Sequence, residues 1–132
     1  MTRRCDSSQS TNVLTAPAQF AVTAKRSSAG LVRVVVTGEI DAGTLDRLDR
    51  ELSDQPRVGT TALVVDVSGV LFCSISGGRS LVGLLDRSTM AGVPLALVDA
   101  HAIRRVLKFI PGAELLSSHR DLPSALAAVG GP

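Results

Sequence analysis

At 132 residues, 45% of them hydrophobic, the chain has the size of one domain, commonly ~100–150 residues. Three Phe are its only aromatics, which argues against base-stacking platforms for single-stranded nucleic acid. A net charge of +2, from 14 basic and 12 acidic residues scattered along the chain, indicates no basic patch for DNA or anionic lipid. Cys5 and Cys73 make neither a disulfide framework nor a metal-ligand spacing. Without an apolar run of ~20 residues or a secretory h-region, the chain reads as a cytoplasmic protein with no membrane contact and no metal or cofactor.

Residues 1-17 are polar and rich in Ser and Thr, with no period that could bury a face; they read as a disordered tail ahead of a domain over 18-132. Cys5 is then an exposed thiol, and Arg3 and Arg4 belong to the tail. Gln19 to Lys25 alternates enough for a first strand. Ser27-Ser28-Ala29-Gly30 makes a turn, and Leu31 to Thr37 is the clearest strand, so a short connection implies an antiparallel pair. Gly38-Glu39-Ile40-Asp41 ends that strand and opens a helix. Its Leu45, Leu48 and Leu52 share one face, with Asp46/Arg50 and Arg47/Glu51 at i,i+4 outside. Pro56 and Gly59 end this segment.

Leu63 to Val67 is a short β-branched run, the mark of a buried strand. Ser68-Gly69 reads as a turn, after which Val70-Leu71-Phe72 returns to the core. Ser74, Ser76 and Ser80 follow around Gly77 and Gly78, and from Leu81 the apolar spacing is helical. A strand thus feeds a small polar loop that opens a helix, the place where α/β proteins commonly put their function. Cys73 reads as a buried small hydrophobe. A serine there is an N-cap, a modification site favoured by helix-start N–H groups, or both; both readings apply to Ser76. Gly77-Gly78 should loosen or delay the helix start, at about 1 kcal/mol per Gly.

Leu81, Val82, Leu84 and Leu85 give that helix a broad apolar face, and Gly92-Val93-Pro94 stops it. Leu95 to Val98 is another buried strand, with Asp99 as cap of the next helix. In that helix Ile103, Val106, Leu107 and Ile110 face inward; Arg104, Arg105 and Lys108 face out, covering a surface or meeting an acidic partner. Leu115-Leu116 reads as a minimal last strand. Asp121 to Val129 is a final helix with Leu122, Ala125, Leu126 and Val129 on one side. Strands alternating with helices imply an α/β fold: a mixed β-sheet of four to five strands packed by about four helices.

Three features in this order resemble the STAS domain of bacterial anti-sigma factor antagonists. They are Gly38-Glu39-Ile40-Asp41, similar to the family's G-E-(L/I)-D; the strand and serine loop over 63-80, similar to its apolar strand, Asp, Phe, then D-S-S-G or D-S-T-G; and Val98-Asp99 leading into the helix with Ile103, Val106 and Leu107. The resemblance covers about residues 18-129. It implies a binding domain rather than an enzyme. Its partner would be an anti-sigma factor that is also a serine kinase, and docking would release a sigma factor. Phosphorylation of the second serine of the motif would prevent binding. That serine falls on Ser76, with Ser74 the lesser candidate. Gly38, Glu39, Asp41, Ser74, Ile75, Ser76, Gly77, Gly78 and Arg79 form the implied partner surface.

The departures are local. Ser74 stands where the family has Asp, Ile75 replaces its first Ser, Gly78 its apolar residue, and Arg79 a small one. Loss of the acidic position opens a second reading, a phosphorylation-independent STAS module for another regulator or a transport assembly. A third is a small serine hydrolase, because Ser74-Ile75-Ser76-Gly77-Gly78 half-matches a nucleophile elbow with His101 and His119 downstream. Asp66 near a strand end suggests a phosphoacceptor receiver, but the first two strands offer no acidic pair for Mg²⁺; Asp66 reads instead as a turn residue or support for the loop. Oligomeric state is open.

Overall fold

Alternation of Val32, Val34 and Val36 with more exposed neighbours explains why the second strand can sit at the edge of a core and still be half wet. The computed structural model describes residues 19–130, so the expected tail over 1-17 and Cys5 lie outside the described residues. Strand β1 (Ala21–Arg26) pairs antiparallel with β2 (Leu31–Ile40). Their turn closes through Ser27 N–H to the Leu31 carbonyl at 2.8 Å. Helix α1 (Leu45–Ser53) follows, with Leu48 and Leu52 buried. Then come β3 (Ala62–Cys73), α2 (Ile75–Met90), β4 (Leu95–Val98), α3 (His101–Leu107), a 3₁₀ turn at Ala113–Leu115, β5 (Ser117–His119) and α4 (Leu122–Ala128).

The sheet is five-stranded in the order β1-β2-β3-β4-β5, parallel everywhere except the first pair. The α/β expectation with a mixed sheet and about four helices therefore holds. The larger core lies between the sheet and α1, α2 and α3, around Val34, Val36, Leu63, Val65, Leu84 and Ile103. The other face carries a smaller core in which Ala125, Leu122 and Leu126 of α4 cover Val64, Ala96 and Val98. Each fully buried Val, Leu or Ile contributes roughly 1.5–3 kcal/mol.

Several local expectations are corrected. Ser68-Gly69 is no turn: β3 runs through it, with its register against β2 slipping between Val35 and Thr37 and again between Gly38 and Glu39. Each slip inserts a residue into β3 and breaks the two-residue alternation. Val67 keeps the facing of Val65, after which Val70 and Cys73 point inward at every third position, while Leu71 and Phe72 point out instead of returning to the core. Asp66 supports the first slip, its Oδ1 accepting from Ser68 N–H (3.0 Å) and Ser68 Oγ (2.6 Å).

The helix expected to open at Gly38–Asp41 starts later, at Leu45, because Gly38 to Ile40 extend β2 and Asp41 makes a turn. Arg47 stacks 4.8 Å over the Phe20 ring and donates to the Phe20 carbonyl. Asp99 does not occupy the cap position of α3; Ala100 does, and Asp99 Oδ1 accepts its N–H at 2.7 Å. The last strand forms at Ser117–His119 rather than Leu115-Leu116, since Ala113–Leu115 is wound into the 3₁₀ turn and Leu116 is needed in the core. Asp121 caps α4 by accepting from Ser124 N–H at 2.8 Å.

Candidate functional site

The serine loop contracts to one residue. β3 ends at Cys73, Ser74 is extended, and α2 begins at Ile75. A capping oxygen accepts the N–H two or three residues ahead. Ser74 does so: its Oγ accepts from Gly77 N–H at 3.1 Å and its carbonyl from Gly78 N–H at 3.1 Å. The cap is therefore Ser74, which corrects the expectation that Ser76 caps the helix. Ser76 is the second residue of α2, and its side chain is exposed.

The expected loosening by Gly77-Gly78 is also corrected. Both glycines are buried inside a regular first turn. A Cβ on Gly77 would stand 2.5 Å from Ile40 Cγ2 and 3.0 Å from Cys73 Sγ; one on Gly78 would run into Ile110 Cδ1 and Val106 Cγ1. Missing side chains let α2 press against β2 on one side and the end of α3 on the other. That packing offsets the glycine propensity cost of about 1 kcal/mol per residue.

The remaining positions of the expected surface divide into supports and presented groups. Gly38 is buried with φ +90°, and a Cβ there would meet the Gln19 carbonyl at 2.7 Å, so it shapes the surface from below. Asp41 is occupied locally: Oδ1 accepts from Gly43 N–H (2.9 Å) and Thr44 N–H (3.1 Å). Its carboxylate fixes the β2–α1 turn rather than standing free. Glu39 is half-buried and sits in register with Phe72, which brings the β2 end beside the start of α2. Ile75, Ser76 and Arg79 are exposed, with Arg79 one helical turn beyond Ile75.

Two features escaped the sequence reading. Ser80 Oγ donates to Asp49 Oδ1 at 2.5 Å and lies 3.2 Å from the Ser76 carbonyl, tying α1 to the first turn of α2. Residues 31 apart give no periodic signal of such a pair. The other is an apolar groove beside Ile75, lined by Leu71, Phe72 and Phe109 among others. Cys73 closes the floor below, and burial pushes its thiol up to about 11, so it stays protonated near neutral pH. It is buried, as the small-hydrophobe reading requires.

Neither histidine meets a serine in the manner of a nucleophile elbow. Ser74 Oγ is taken by Gly77 N–H, His119 Nε2 lies 2.7 Å from Ser117 Oγ on β5, and His101 is the exposed first residue of α3. Among the described residues no group of three His, Cys, Asp or Glu is placed to hold a metal ion, and no helix is long and apolar enough to cross a membrane. What the arrangement offers is a hydroxyl at a helix start, where first-turn N–H groups and the helix dipole favour added negative charge.

Comparison with solved structures finds the same fold. An anti-sigma factor antagonist from Mycobacterium paratuberculosis matches with a TM-score of 0.73 and 24% identity, over 89% of this chain and 99% of that one. The anti-sigma factor antagonist SpoIIAA in its unphosphorylated form matches with a TM-score of 0.66 and 15% identity, over 83% and 97%. The phosphorylated form of SpoIIAA, described as a Bacillus cell fate determinant, gives a TM-score of 0.61 and 14% identity, over 79% and 96%. The family model of the STAS domain matches residues 22–109, a span from β1 to just past α3 that takes in the end of β2 and the serines at the start of α2. By that match the chain belongs to the STAS domain family.

Proposed function

We propose that this chain is an anti-sigma factor antagonist: it binds an anti-sigma factor that is also a serine kinase, frees a sigma factor, and is switched off by phosphate on Ser76. The observation that carries the reading is the exposure of the Ser76 hydroxyl in the first turn of α2 while its neighbour Ser74 is committed as the cap. A kinase can reach the one without dismantling the helix start. Phosphate brings roughly −1.5 to −2 charges at pH 7. First-turn N–H groups and Arg79 favour that charge from within the fold, whereas Asp49, linked through Ser80, opposes it. The fold therefore tolerates the modification, and its effect falls on the docking partner.

The likeness to anti-sigma factor antagonists in both phosphorylation states supports the reading at the level of fold. The test is a pull-down of purified anti-sigma factors with the wild type, Ser76→Ala and Ser76→Asp. Ser76→Ala should bind as the wild type does, and Ser76→Asp should lose binding by about tenfold or more, roughly 1.4 kcal/mol. Equal binding by the two variants removes Ser76 from the account. One observation favours a second reading, a constitutive STAS binding module: Ser74 replaces the family's acidic residue at the cap. Complex formation that ATP and the kinase leave unchanged would select it.

A further inference from the structure

Two of the chain's three phenylalanines are on its surface, Phe72 at 50% and Phe109 at 75% exposure. Leu71 (64%) and Ile75 (47%) stand beside them, and together they line a groove of about 240 Å³ between the end of β3 and α3. A core so poor in aromatics has no structural reason to leave its largest apolar side chains in water, and contiguous exposed apolar surface marks binding sites. The one charged residue lining the groove is basic, and the acid flanking it is Glu39, in register with Phe72 and half-buried. Arg105 lines it, no acidic residue does, Lys108 precedes Phe109, and Arg79 stands one helical turn from Ile75. Arg104 is held back by Asp99 at 3.5 Å, which leaves Arg105 as the guanidinium over the groove.

We propose that this groove receives an acidic segment of the partner protein, anchored by apolar side chains between Leu71, Phe72 and Phe109 and paired at its rim with Arg105. That the partner is an anti-sigma factor rests on the function proposed above; the chemistry of the groove does not. Because the groove begins at Ile75, an acidic occupant passes beside Ser76. Phosphate on that hydroxyl would repel it directly, which gives the switch its sign.

The test uses the full chain and fluorescently labelled short peptides of alternating Leu and Glu, or of alternating Leu and Lys, followed by anisotropy. The Leu/Glu peptide should bind saturably and at least about tenfold tighter than the Leu/Lys peptide. Phe109→Ser and Arg105→Glu should each weaken it by about tenfold, and added salt should weaken it further. Leu71→Ser serves as a second groove variant should Phe109→Ser melt early. Ser76→Asp should lower the affinity severalfold. No binding, equal binding of both peptides, or groove variants that bind like the wild type would overturn the proposal. So would a dimer in sedimentation that Phe109→Ser converts to monomer, or tighter peptide binding once residues 1-18 are removed, since a second copy or the chain's own tail would then be the occupant. The assay contains no anti-sigma factor, so its failure leaves the pull-down result standing, and a failed pull-down leaves this one standing.

Discussion

The two halves of β3 obey different rules. From Leu63 to Asp66 the strand lies between β2 and β4, and its apolar side chains are buried on both faces. Beyond Asp66 its pairing with β4 has ended, and only β2 remains alongside. Here Val67 keeps the facing of Val65, and the two register slips then turn Val70 and Cys73 inward and release Leu71 and Phe72 to the surface. The first half builds the core. The second carries the core's edge out to a helix start bearing an exposed serine. One strand thus supplies a buried core and an exposed apolar edge in succession, and the change comes where the sheet loses a neighbour.

Substitutions can break this contrast or sharpen it. Leu63→Ala, in the doubly flanked half, should cost about 2–5 kcal/mol in a denaturant titration, because the side chain is wholly buried and the surrounding strands cannot close the void. Gly78→Ala tests how α2 is seated at the end of the second half. Helix propensity alone would make it stabilising by about 1 kcal/mol; the contact with Ile110 and Val106 reverses the sign, and a loss of about 1–3 kcal/mol is expected from thermal melts.

Cys73 gives an effect confined to alkaline pH. Its thiol, raised from 9.0 to about 11 by burial, keeps its proton in the fold where the unfolded chain has lost it. The folded state then binds more protons, so stability should fall as pH rises from about 9 to about 11. Cys73→Ala should flatten that slope, measured by denaturation across the alkaline range. Leu71→Ser, in the outward half, should change stability by about 0.5 kcal/mol or less. A large loss there would erase the distinction between the halves.

Much of the architecture is legible in the sequence because periodicity survives wherever elements are regular. The alternation in β2, the Leu45/Leu48/Leu52 face and the Leu122/Ala125/Leu126 face all appear where their spacing puts them. What escaped follows from long-range packing. The register slips of β3 are settled by its pairing with β2, so Ser68-Gly69 looks like a turn when read alone. Gly77 and Gly78 look like helix breakers until Ile40, Val106 and Ile110 are brought against them. The cap is Ser74, two residues before the serine to which the sequence assigns it, because an N-cap oxygen reaches the N–H three residues ahead and only Gly77 N–H lies there for Ser74. Asp41, expected to present charge, is consumed by the turn it builds.

The most direct measurement is phosphosite mapping by mass spectrometry after the chain is incubated with ATP and the proposed partner, an anti-sigma factor with serine-kinase activity. The account predicts a single phosphate on Ser76, absent from the Ser76→Ala variant, with Ser74 unmodified. Phosphate on Ser74, or a chain that stays unmodified in a stable complex with the kinase, would contradict it.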